Sequence, residues 1–323
     1  SNVTETGRKI AAGIQEIDYF IFFPFDLRWV VRKSLNIIRP DVIILVETEI
    51  WPNFVLQAKA RNIPLILANG RISDRSFPRY RMARKFLPPI LDAIADYCMQ
   101  SEQDSRRIRH LGAPSGRVRV TGNLKFDMQP PQIDSGELAA LRSQLRLPGD
   151  ARIWVAGSTH DGEEAQLAEV YQRLRKICPE LFLVLVPRHP ERCRQVQDDL
   201  GKQNIATTLR STLAEMRKDL QPGEILIVDT LGEVLKFYAL SELVFVGGSL
   251  VDIGGHNILE AAVLKKPVMY GSHMQNFKEI ARLVRAAHAG LQVKNADDLY
   301  RQMRILIENP DEAIRIGENG HYL

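Results

Sequence analysis

The fold is decided by residues 243–257, LVFVGGSLVDIGGHN, in which four apolar residues lead directly into a glycine-rich turn. The apolar run predicts a buried strand, and the apolar residues from Ile258 onward predict a helix after the turn. Glycines in such a turn let backbone amides approach an anion, and the following helix directs its positive end at that anion. The spacing is not the GxGxxG of dinucleotide sites, so a turn that only reverses the chain remains an alternative.

Short apolar runs alternate with helical segments along most of the chain. This alternation predicts βαβ units in mostly parallel sheets. Strands are predicted at 19–23, 41–46, 63–68, 97–100 and 117–121, and then at 153–156, 181–186, 225–228, 243–246 and 267–270. A helix is predicted at 4–15, and the polar, proline-rich residues 128–136 are typical of a linker. We therefore predict an α/β fold with two doubly wound domains, residues 1–130 and 131–323.

Glycine and polar residues follow most of the predicted strands. They occur at 47–53, 69–71, 121–125, 157–160, 187–190, 247–257 and 271–273. Open α/β sheets bind ligands at the carboxyl ends of their strands, so we expect these loops to form a binding site. If the two sheets face each other, the loops line one cleft between the domains.

The composition disfavours several classes of protein. The 323 residues carry a formal charge of +4, which favours acidic ligands or an anionic membrane surface over a dedicated nucleic-acid binder. Cys98, Cys178 and Cys193 are scattered, so we predict neither a disulfide framework nor a zinc site, and a reducing, cytosolic compartment fits best. The sequence has no DxD and no P-loop, which disfavours a metal-bridged diphosphate mechanism, kinases and ATPases. No apolar run reaches the roughly 18 residues of a membrane span.

Candidate ligand-binding side chains follow the strands of the second half. The Arg188 guanidinium offers a planar fork of donors for a phosphate, and prolines on both sides of Arg188 and His189 stiffen their presentation. An exposed surface arginine is the alternative. Ser158 or Thr159 could contact a ligand or cap the next helix. Glu260 could accept hydrogen bonds from ribose hydroxyls or simply face solvent.

The first half offers fewer specific signals. Lys125 could neutralise a leaving phosphate, although an exposed lysine is the more frequent outcome. Glu47 and Glu49 would point to opposite sides of an extended segment, so they are not a carboxylate pair, and one of them could be a structural or acceptor-binding acid. Basic residues at 71, 75, 79, 81, 84 and 85 interleave with Phe77, Tyr80, Met82 and Phe86. Such a segment can hold an anionic lipid headgroup, and a solvated basic face fits the pattern equally well.

Jointly, these motifs resemble one known family, the 3-deoxy-D-manno-octulosonic acid (Kdo) transferases of lipopolysaccharide assembly. The resemblance is carried by residues 47–53, 121–127, 157–160, 163–164, 187–192, 232–233, 247–250, 254–257 and 276–277. These motifs run in order through the chain, and together they are far more specific than any single glycine-rich turn.

The resemblance implies a GT-B fold, in which two Rossmann-like domains face a cleft between them. It implies CMP-Kdo as the donor, bound by residues 131–323, and a lipid A precursor, lipid IVA, as the acceptor, bound by residues 1–130. Members of the family are inverting, need neither metal nor cofactor, and work at the cytoplasmic face of the bacterial inner membrane. A donor with one phosphate suits a sequence without DxD, because Arg188, Lys125 and a helix end could neutralise its charge.

These implications give a set of expected site residues. Lys125 and Arg188 are expected to stabilise the leaving phosphate. The expected donor-binding residues are Ser158, Thr159, Arg188, His189, Gly232, Glu233, Gly248, Ser249, Gly255, His256, Asn257, Glu260 and Asn276. The expected acceptor-binding residues are Glu47, Glu49, Trp51, Asn69, Arg71 and Arg75.

The sequence departs from the family at its start. Family members carry an N-terminal hydrophobic anchor and then a Gly-Glu loop whose glutamate resembles a general base for the acceptor hydroxyl. Neither is found in this sequence, so we assign no general base, and we give that role to neither Glu47 nor Glu49. We expect the first sheet to lack its first βα units. Two alternatives stay open: a sugar-nucleotide epimerase of the same twin-sheet architecture, and a donor-binding module that binds without transfer.

Overall fold

The computed structural model describes residues 11, 14, 16–74, 76–127, 133–213, 215 and 219–323. The chain divides into two units, Ser1–Asp127 and Met128–Leu323, and each unit has its own hydrophobic core. Within the described ranges, no helix combines the length and the apolar character that crossing a bilayer requires.

The first unit is built on four parallel strands that neighbour one another in chain order. The strands are β1 (Ile43–Val46), β2 (Leu65–Gly70), β3 (Asp96–Met99) and β4 (Val118–Val120). The helices are α1 (Arg28–Ile38), α2 (Pro52–Lys59), α3 (Phe77–Met82), α4 (Pro88–Leu91) and α5 (Glu102–Leu111). Because side chains alternate across a strand, β1 buries Ile43 and Leu45 and leaves Ile44 and Val46 exposed.

Side-chain caps fix where two helices of this unit begin. A carboxylate oxygen of Asp26 accepts a hydrogen bond from the Phe54 amide at 2.8 Å, at the start of α2. The Ser101 hydroxyl accepts one from the Asp104 amide at 3.2 Å, at the start of α5. Asp104 in turn accepts one from the Ile72 amide at 2.7 Å, just after β2. These bonds satisfy amides that a helix start leaves without intrahelical partners, and they hold the loops after β1 and β2 in place.

The described residues of the second unit form seven strands, and all their pairings are parallel. The strands are β5 (Arg152–Thr159), β6 (Leu181–Pro187), β7 (Thr207–Leu209), β8 (Ile225–Ile227), β9 (Leu243–Val246), β10 (Val268–Tyr270) and β11 (Gly290–Gln292). The helices are α6 (Ser135–Gln144), α7 (Glu164–Leu174), α8 (Cys193–Gly201), α9 (Val234–Leu240), α10 (Leu259–Ala262), α11 (Lys278–Ala286), α12 (Ala296–Glu308) and α13 (Pro310–His321). The strands lie in the order β11-β10-β9-β5-β6-β8-β7.

The strand order of this sheet reverses at β5. From β5 the chain proceeds to β6 on one side, and it later returns to β9, which pairs with the other side of β5. Open α/β sheets bind their ligands at the carboxyl ends of the strands beside such a reversal. In this sheet that place lies where Gly157 of β5 aligns with Val246 of β9.

Close packing holds the carboxyl end of β5. All residues of β6 and β9, which flank β5, are buried. Gly157 has no room for a side chain, because a Cβ there would overlap the Tyr238 side chain of α9, and Tyr238 is itself buried. The end of the strand is therefore pressed against α9, and its position is set by the core.

The structure confirms the α/β class and every predicted strand from 41–46 onward, with ends that shift by at most three residues. The strand predicted at 19–23 is wrong, because that segment contains an isolated bridge at Phe22 and no strand. Two strands were not predicted, β7 and β11, since three residues are too few to show a periodic pattern.

The helix predicted from Ile258 is far shorter than expected, because α10 covers only four residues. Lys265 adopts a left-handed conformation with φ 59°, and the residue before Pro267 is restricted from continuing a helix. The chain therefore leaves the helix and enters β10. A four-residue helix contributes little dipole, which removes one of the supports for an anion site at its start.

Two further predictions concern segments that are only partly described. The helix predicted at 4–15 lies outside the described residues except for Ala11 and Ile14, and so do residues 128–132 of the predicted linker. The predicted linker also ends too late, because α6 begins at Ser135. Asp134 caps this helix by accepting a hydrogen bond from the Gly136 amide at 3.2 Å.

Candidate functional site

Three loops of the second unit meet beside the strand reversal. They are residues 160–163 after β5, 188–190 after β6 and 247–257 after β9, which we call the donor-site loops. The Arg188 amide donates to the Thr159 carbonyl at 3.0 Å, and the Gly247 amide donates to the Gly157 carbonyl at 2.8 Å. The structure thus brings together segments that stand up to 97 positions apart (residues 160 and 257) in the sequence.

A fully buried carboxylate, that of Glu163, organises these loops. One of its oxygens accepts hydrogen bonds from the His160 amide at 3.0 Å and the Gly248 amide at 2.7 Å. The other oxygen accepts from the Ser249 amide at 3.0 Å and the Leu250 amide at 2.9 Å. Consecutive backbone N–H groups that converge in this way form an anion-binding concavity, and here the protein's own carboxylate occupies it.

This arrangement narrows the predicted role of the glycine-rich turn. The sequence predicts that the amides around Gly255 and His256 hold the phosphate. The amides of Gly248 and Ser249 donate to Glu163, and the Gly255 amide donates to the Gly248 carbonyl at 2.7 Å, so these three are already occupied. Sequence reasoning assigned no role to Glu163, although its position in a family motif was a signal.

Two predicted donor-binding side chains are buried. Ser249 has no exposed surface, and its hydroxyl accepts a hydrogen bond from the Gly271 amide at 2.8 Å. Thr159 is equally buried within β5, and α7 begins without a side-chain cap, so neither Ser158 nor Thr159 serves as its N-cap. Ser158 itself is half-buried with a left-handed φ of 55°. The structure therefore gives Ser249 and Thr159 a supporting position rather than the predicted ligand contact.

Three histidines cluster at the surface of the donor-site loops. The Nε2 atoms of His160 and His256 are 2.8 Å apart, and their rings stack with centroids at 5.1 Å. The His189 ring meets that of His160 edge-on at 5.8 Å. Burial lowers the pKa of His160, and the neighbouring His189, Arg192 and Arg188 lower it further. A shared hydrogen bond between two imidazoles requires that one Nε2 donates and the other accepts. His160 is thus a site residue that our expected set did not include.

Two arginines flank this histidine cluster in different ways. Arg192 forms ion pairs with Glu164 at 3.1 Å and with Asp161 at 3.3 Å, so its charge is already paired with carboxylates of the protein. Arg188 is exposed, and among the described residues its guanidinium has no hydrogen bond or ion pair. Arg188 is therefore available for an anionic ligand, and it lies close enough to influence the pKa of His160.

The end of the glycine-rich loop is fastened to the loop after β10. The Asn276 amide donates to the Gly254 carbonyl at 2.9 Å, and its side-chain nitrogen donates to the Ile253 carbonyl at 3.2 Å. Asn257 accepts a hydrogen bond from the Leu259 amide at 3.3 Å, just before α10. Asn276 and Asn257 thus shape the loop, and whether they also contact a donor stays a prediction.

Two predicted acidic residues lie near the same edge of the sheet. Glu233 accepts hydrogen bonds from the Thr230 hydroxyl and from Arg210 at 3.5 Å, and Gly232 beside it has a φ of 82°. Glu260 is half-buried at the start of α10. Burial raises the pKa of Tyr238, and the negative charge of Glu260 raises it further, which places this carboxylate near the end of β5.

The candidate residues of the first unit lie at or after the carboxyl ends of its strands. Asn69 is buried with a φ of 53°, and its side-chain oxygen accepts a hydrogen bond from the Leu124 amide at 3.2 Å. Lys125 follows Leu124 in a 3-10 turn. The Arg71 amide donates to the Thr48 hydroxyl at 3.1 Å. The ends of β1, β2 and β4 are thereby joined, as the sequence predicted for strand-end loops.

The predicted acceptor residues near β1 differ in their backbone conformation and hydrogen bonding. Glu47 is exposed with a φ of 61°, and the Glu49 carboxylate accepts a hydrogen bond from the Trp51 indole nitrogen at 3.0 Å. Burial raises the pKa of Tyr80 in α3, and the negative charge of Glu49 raises it further. Arg75, the remaining predicted acceptor residue, lies outside the described residues.

Solved structures share this architecture. The MnaA–UDP complex of S. aureus matches 91% of this chain and 75% of that chain with a TM-score of 0.59 at 17% identity, which shows the fold alone. The C-terminal CMP-Kdo binding domain of WaaA from Acinetobacter baumannii matches 58% of this chain and 95% of that chain, with a TM-score of 0.52 at 30% identity. The fold is therefore that of the GT-B class, with two parallel sheets and alternating helices.

Sequence relatives define the family more narrowly. A family model described as 3-deoxy-D-manno-octulosonic-acid transferase (kdotransferase) matches residues 1–128. A 3-deoxy-D-manno-octulosonic acid transferase of Haemophilus influenzae is 34% identical over 320 residues, which are 98% of this chain and 74% of that protein. The chain belongs to the 3-deoxy-D-manno-octulosonic acid transferase family.

A second relative is much longer than this chain. A bifunctional glycosyltransferase/methyltransferase of Fusobacterium nucleatum is 37% identical over 296 residues, which are 91% of this chain and 45% of that protein. The chain thus spans from about half to about three quarters of the length of these two relatives.

Proposed function

We propose that this chain transfers Kdo from CMP-Kdo to a lipid A precursor, lipid IVA, with inversion of the sugar and without a metal ion. Membership of the family supports the reaction class. The observation that carries the proposal is the pairing of an exposed Arg188 with the histidine cluster, beside the strand reversal of the second unit.

In this proposal the donor phosphate binds side chains rather than the glycine-rich turn. Because Glu163 takes the amides of Gly248 and Ser249, these two amides do not meet the negative charge of CMP in this proposal. A guanidinium offers two parallel donors to a phosphate and stays charged, which suits Arg188. His256 and His189 supply further donors, and Glu260 accepts hydrogen bonds from the ribose hydroxyls.

The reaction itself depends on charge that develops as CMP departs. The bond from the ketosidic carbon to the phosphate oxygen breaks, so positive charge grows on the sugar and negative charge on the phosphate. The acceptor hydroxyl oxygen bonds to the same carbon from the opposite face and releases its proton to the solvent. Arg188 stabilises the departing phosphate, and Lys125 of the first unit is the second candidate for that role. A monophosphate leaving group carries less charge than a diphosphate, which is why side-chain cations suffice without a metal ion.

The acceptor is proposed to bind the first unit. Exposed cations at Arg79, Arg81, Arg84 and Lys85 lie beside Met82, which is 86% exposed, and Phe86, which is 77% exposed. Basic and apolar side chains together suit an anionic lipid headgroup at a membrane surface. Glu47, Glu49, Trp51, Asn69, Arg71 and Arg75 are the proposed acceptor-binding residues. The protein would then act peripherally at the cytoplasmic face of the inner membrane.

The test of this function is a transfer assay. The protein is incubated with CMP-Kdo and lipid IVA, and mass spectrometry measures the gain of Kdo by the lipid. We expect Kdo addition with release of CMP, an inverted anomeric centre by NMR, and a rate that excess chelator leaves unchanged. A rearranged sugar formed from the donor alone would indicate an epimerase instead, and CMP-Kdo binding without transfer would indicate a donor-binding module.

A further inference from the structure

The contacts of Glu163 carry an inference that rests on the proposed function and deepens it. Its side chain is completely buried, yet among the described residues no cation pairs with it. Four backbone amides supply its hydrogen bonds instead, two to each oxygen. Hydrogen bonds to an ionised acceptor are stronger than neutral ones, so a carboxylate is much better suited to this place than a neutral side chain.

The backbone around Glu163 has little freedom to rearrange. A Cβ on Gly247 would lie 2.8 Å from the nearer Glu163 oxygen, and Gly248 has a φ of 64° that most residues avoid. Ser249 is anchored from the other side, because its carbonyl accepts a hydrogen bond from the His273 amide at 2.9 Å. The turn therefore has one tightly defined shape, and the carboxylate is the group around which it closes.

That shape determines where His256 stands. A Cβ on Gly248 would meet the His256 ring at 3.0 Å, so the turn packs directly against this imidazole. The same carboxylate also holds the His160 amide, and His160 is the ring that stacks on His256. Glu163 is thus bonded to the two segments that carry the histidine pair, which are separated by nearly a hundred residues.

We propose that Glu163 is a positioning residue: it fills the anion-binding concavity of the glycine-rich turn from inside the protein and thereby sets the His160–His256 pair that faces the donor. The donor's phosphate is then excluded from the amides of Gly248, Ser249 and Leu250, and it binds the side chains in front of them. Glu163 touches no reacting atom in this proposal and acts through the loop that it closes.

The proposal is tested with two substitutions and one matched control. Glu163→Gln keeps the shape of the side chain but replaces one acceptor oxygen by a donor, which opposes the amides of the turn. Glu163→Asp keeps the charge but shortens the reach. Glu224→Gln is the control, because Glu224 is also buried and accepts a hydrogen bond from the Gln221 amide at 3.0 Å, at the opposite end of the sheet.

Calorimetry measures the affinity of each variant for CMP, the nucleotide part of the proposed donor. We expect Glu163→Gln to weaken CMP binding about tenfold or more, as the loss of a group that orients a metal ligand weakens metal binding. Glu224→Gln should bind CMP as the native protein does, even if its thermal stability falls by the same amount. Native CMP affinity in folded Glu163→Gln would overturn the proposal. If that variant does not fold, Glu163→Asp decides by the same criterion.

Amide hydrogen exchange separates this proposal from the proposed function. In the absence of ligand, the amides of residues 248–250 should exchange slowly in the native protein and at least tenfold faster in Glu163→Gln, while those of β9 stay unchanged. Equal exchange of residues 248–250 in both proteins would overturn the positioning role. A native protein that binds no CMP but shows the expected exchange would refute the proposed function and leave the loop-closing role established.

Discussion

At the scale of single residues, two arginines in and beside the donor-site loops differ in whether carboxylates of the protein already pair with their charge. Arg192 pairs with Glu164 and Asp161, whereas the Arg188 guanidinium has no such partner among the described residues. The sequence predicted Arg188 from its place after an apolar strand. It could not predict the role of Glu163, because three of the four amides that donate to it come from a loop 85 to 87 positions away.

Substitution of Arg188 by alanine tests the phosphate contact. We expect CMP affinity to fall about 10- to 100-fold, because a hydrogen bond to a charged group contributes about 1.5–3 kcal/mol. Arg194→Ala is the matched control, since Arg194 is also exposed and stands six positions further along the chain. Calorimetry measures both variants. Equal affinity of Arg188→Ala and the native protein would refute the proposed phosphate contact.

The depressed pKa of His160 makes stability depend on pH. Because the folded state binds this proton less readily than the unfolded state, the unfolded chain gains protons first as the pH falls below about 6.5, the ordinary value of histidine. The free energy of unfolding should therefore decrease on acidification below that pH. Denaturant titrations at several pH values should show that acidification lowers the free energy of unfolding less in His160→Gln than in the native protein. The exposed His321 provides the control, and an equal flattening in His321→Gln would contradict the assignment.

At the scale of elements, continuous apolar runs were enough to predict the strands, whereas short or interrupted elements were not predictable. β6 and β9 are buried along their whole length, and their sequences show it. β7 and β11 have three residues each and are held mainly by their neighbours in the sheet. The helix after Ile258 was overpredicted, because the left-handed Lys265 and the proline at 267 end it early.

The two faces of β1 give a prediction about stability. Leu45 is 6% exposed and Ile44 is 59% exposed, although both are aliphatic residues of the same strand. We expect Leu45→Ala to lower the free energy of unfolding by about 2–5 kcal/mol, because it removes buried methyl groups and leaves a cavity. Ile44→Ala should change it by only about 0.5 kcal/mol, as exposed substitutions do. Denaturant unfolding of the two variants measures the difference, and similar losses would contradict the burial of Leu45.

At the scale of the whole molecule, the chain holds two units with separate hydrophobic cores. The sequence predicts two domains with a boundary at 130, and that boundary remains a prediction beside the division at Asp127. The family could be inferred from ordered motifs, because they sit at strand ends where ligands bind. The use of the glycine-rich turn could not be inferred, because the same amides can hold a ligand anion or an internal carboxylate.

Separate cores predict that unfolding is not a single all-or-none transition. Leu45→Ala in the first unit and Leu183→Ala in the second should each lower the midpoint of a different calorimetric transition. Both side chains are buried, so the losses should be of similar size. Scanning calorimetry measures this, with Ile44→Ala as the control that shifts neither. A single transition lowered equally by both variants would contradict independent cores.

The bond between Glu163 and the Gly248 amide spans 85 positions of the chain. During synthesis, β5 and β6 leave the ribosome well before the residues that complete the turn. A nascent chain that has reached β8 therefore carries Arg188 but lacks the His160–His256 pair, and it has no closed donor loop. In the proposed function, CMP favours the folded protein only after β9 has been made and has docked beside β5, so the ligand would act on the last stage of folding and not on the early ones.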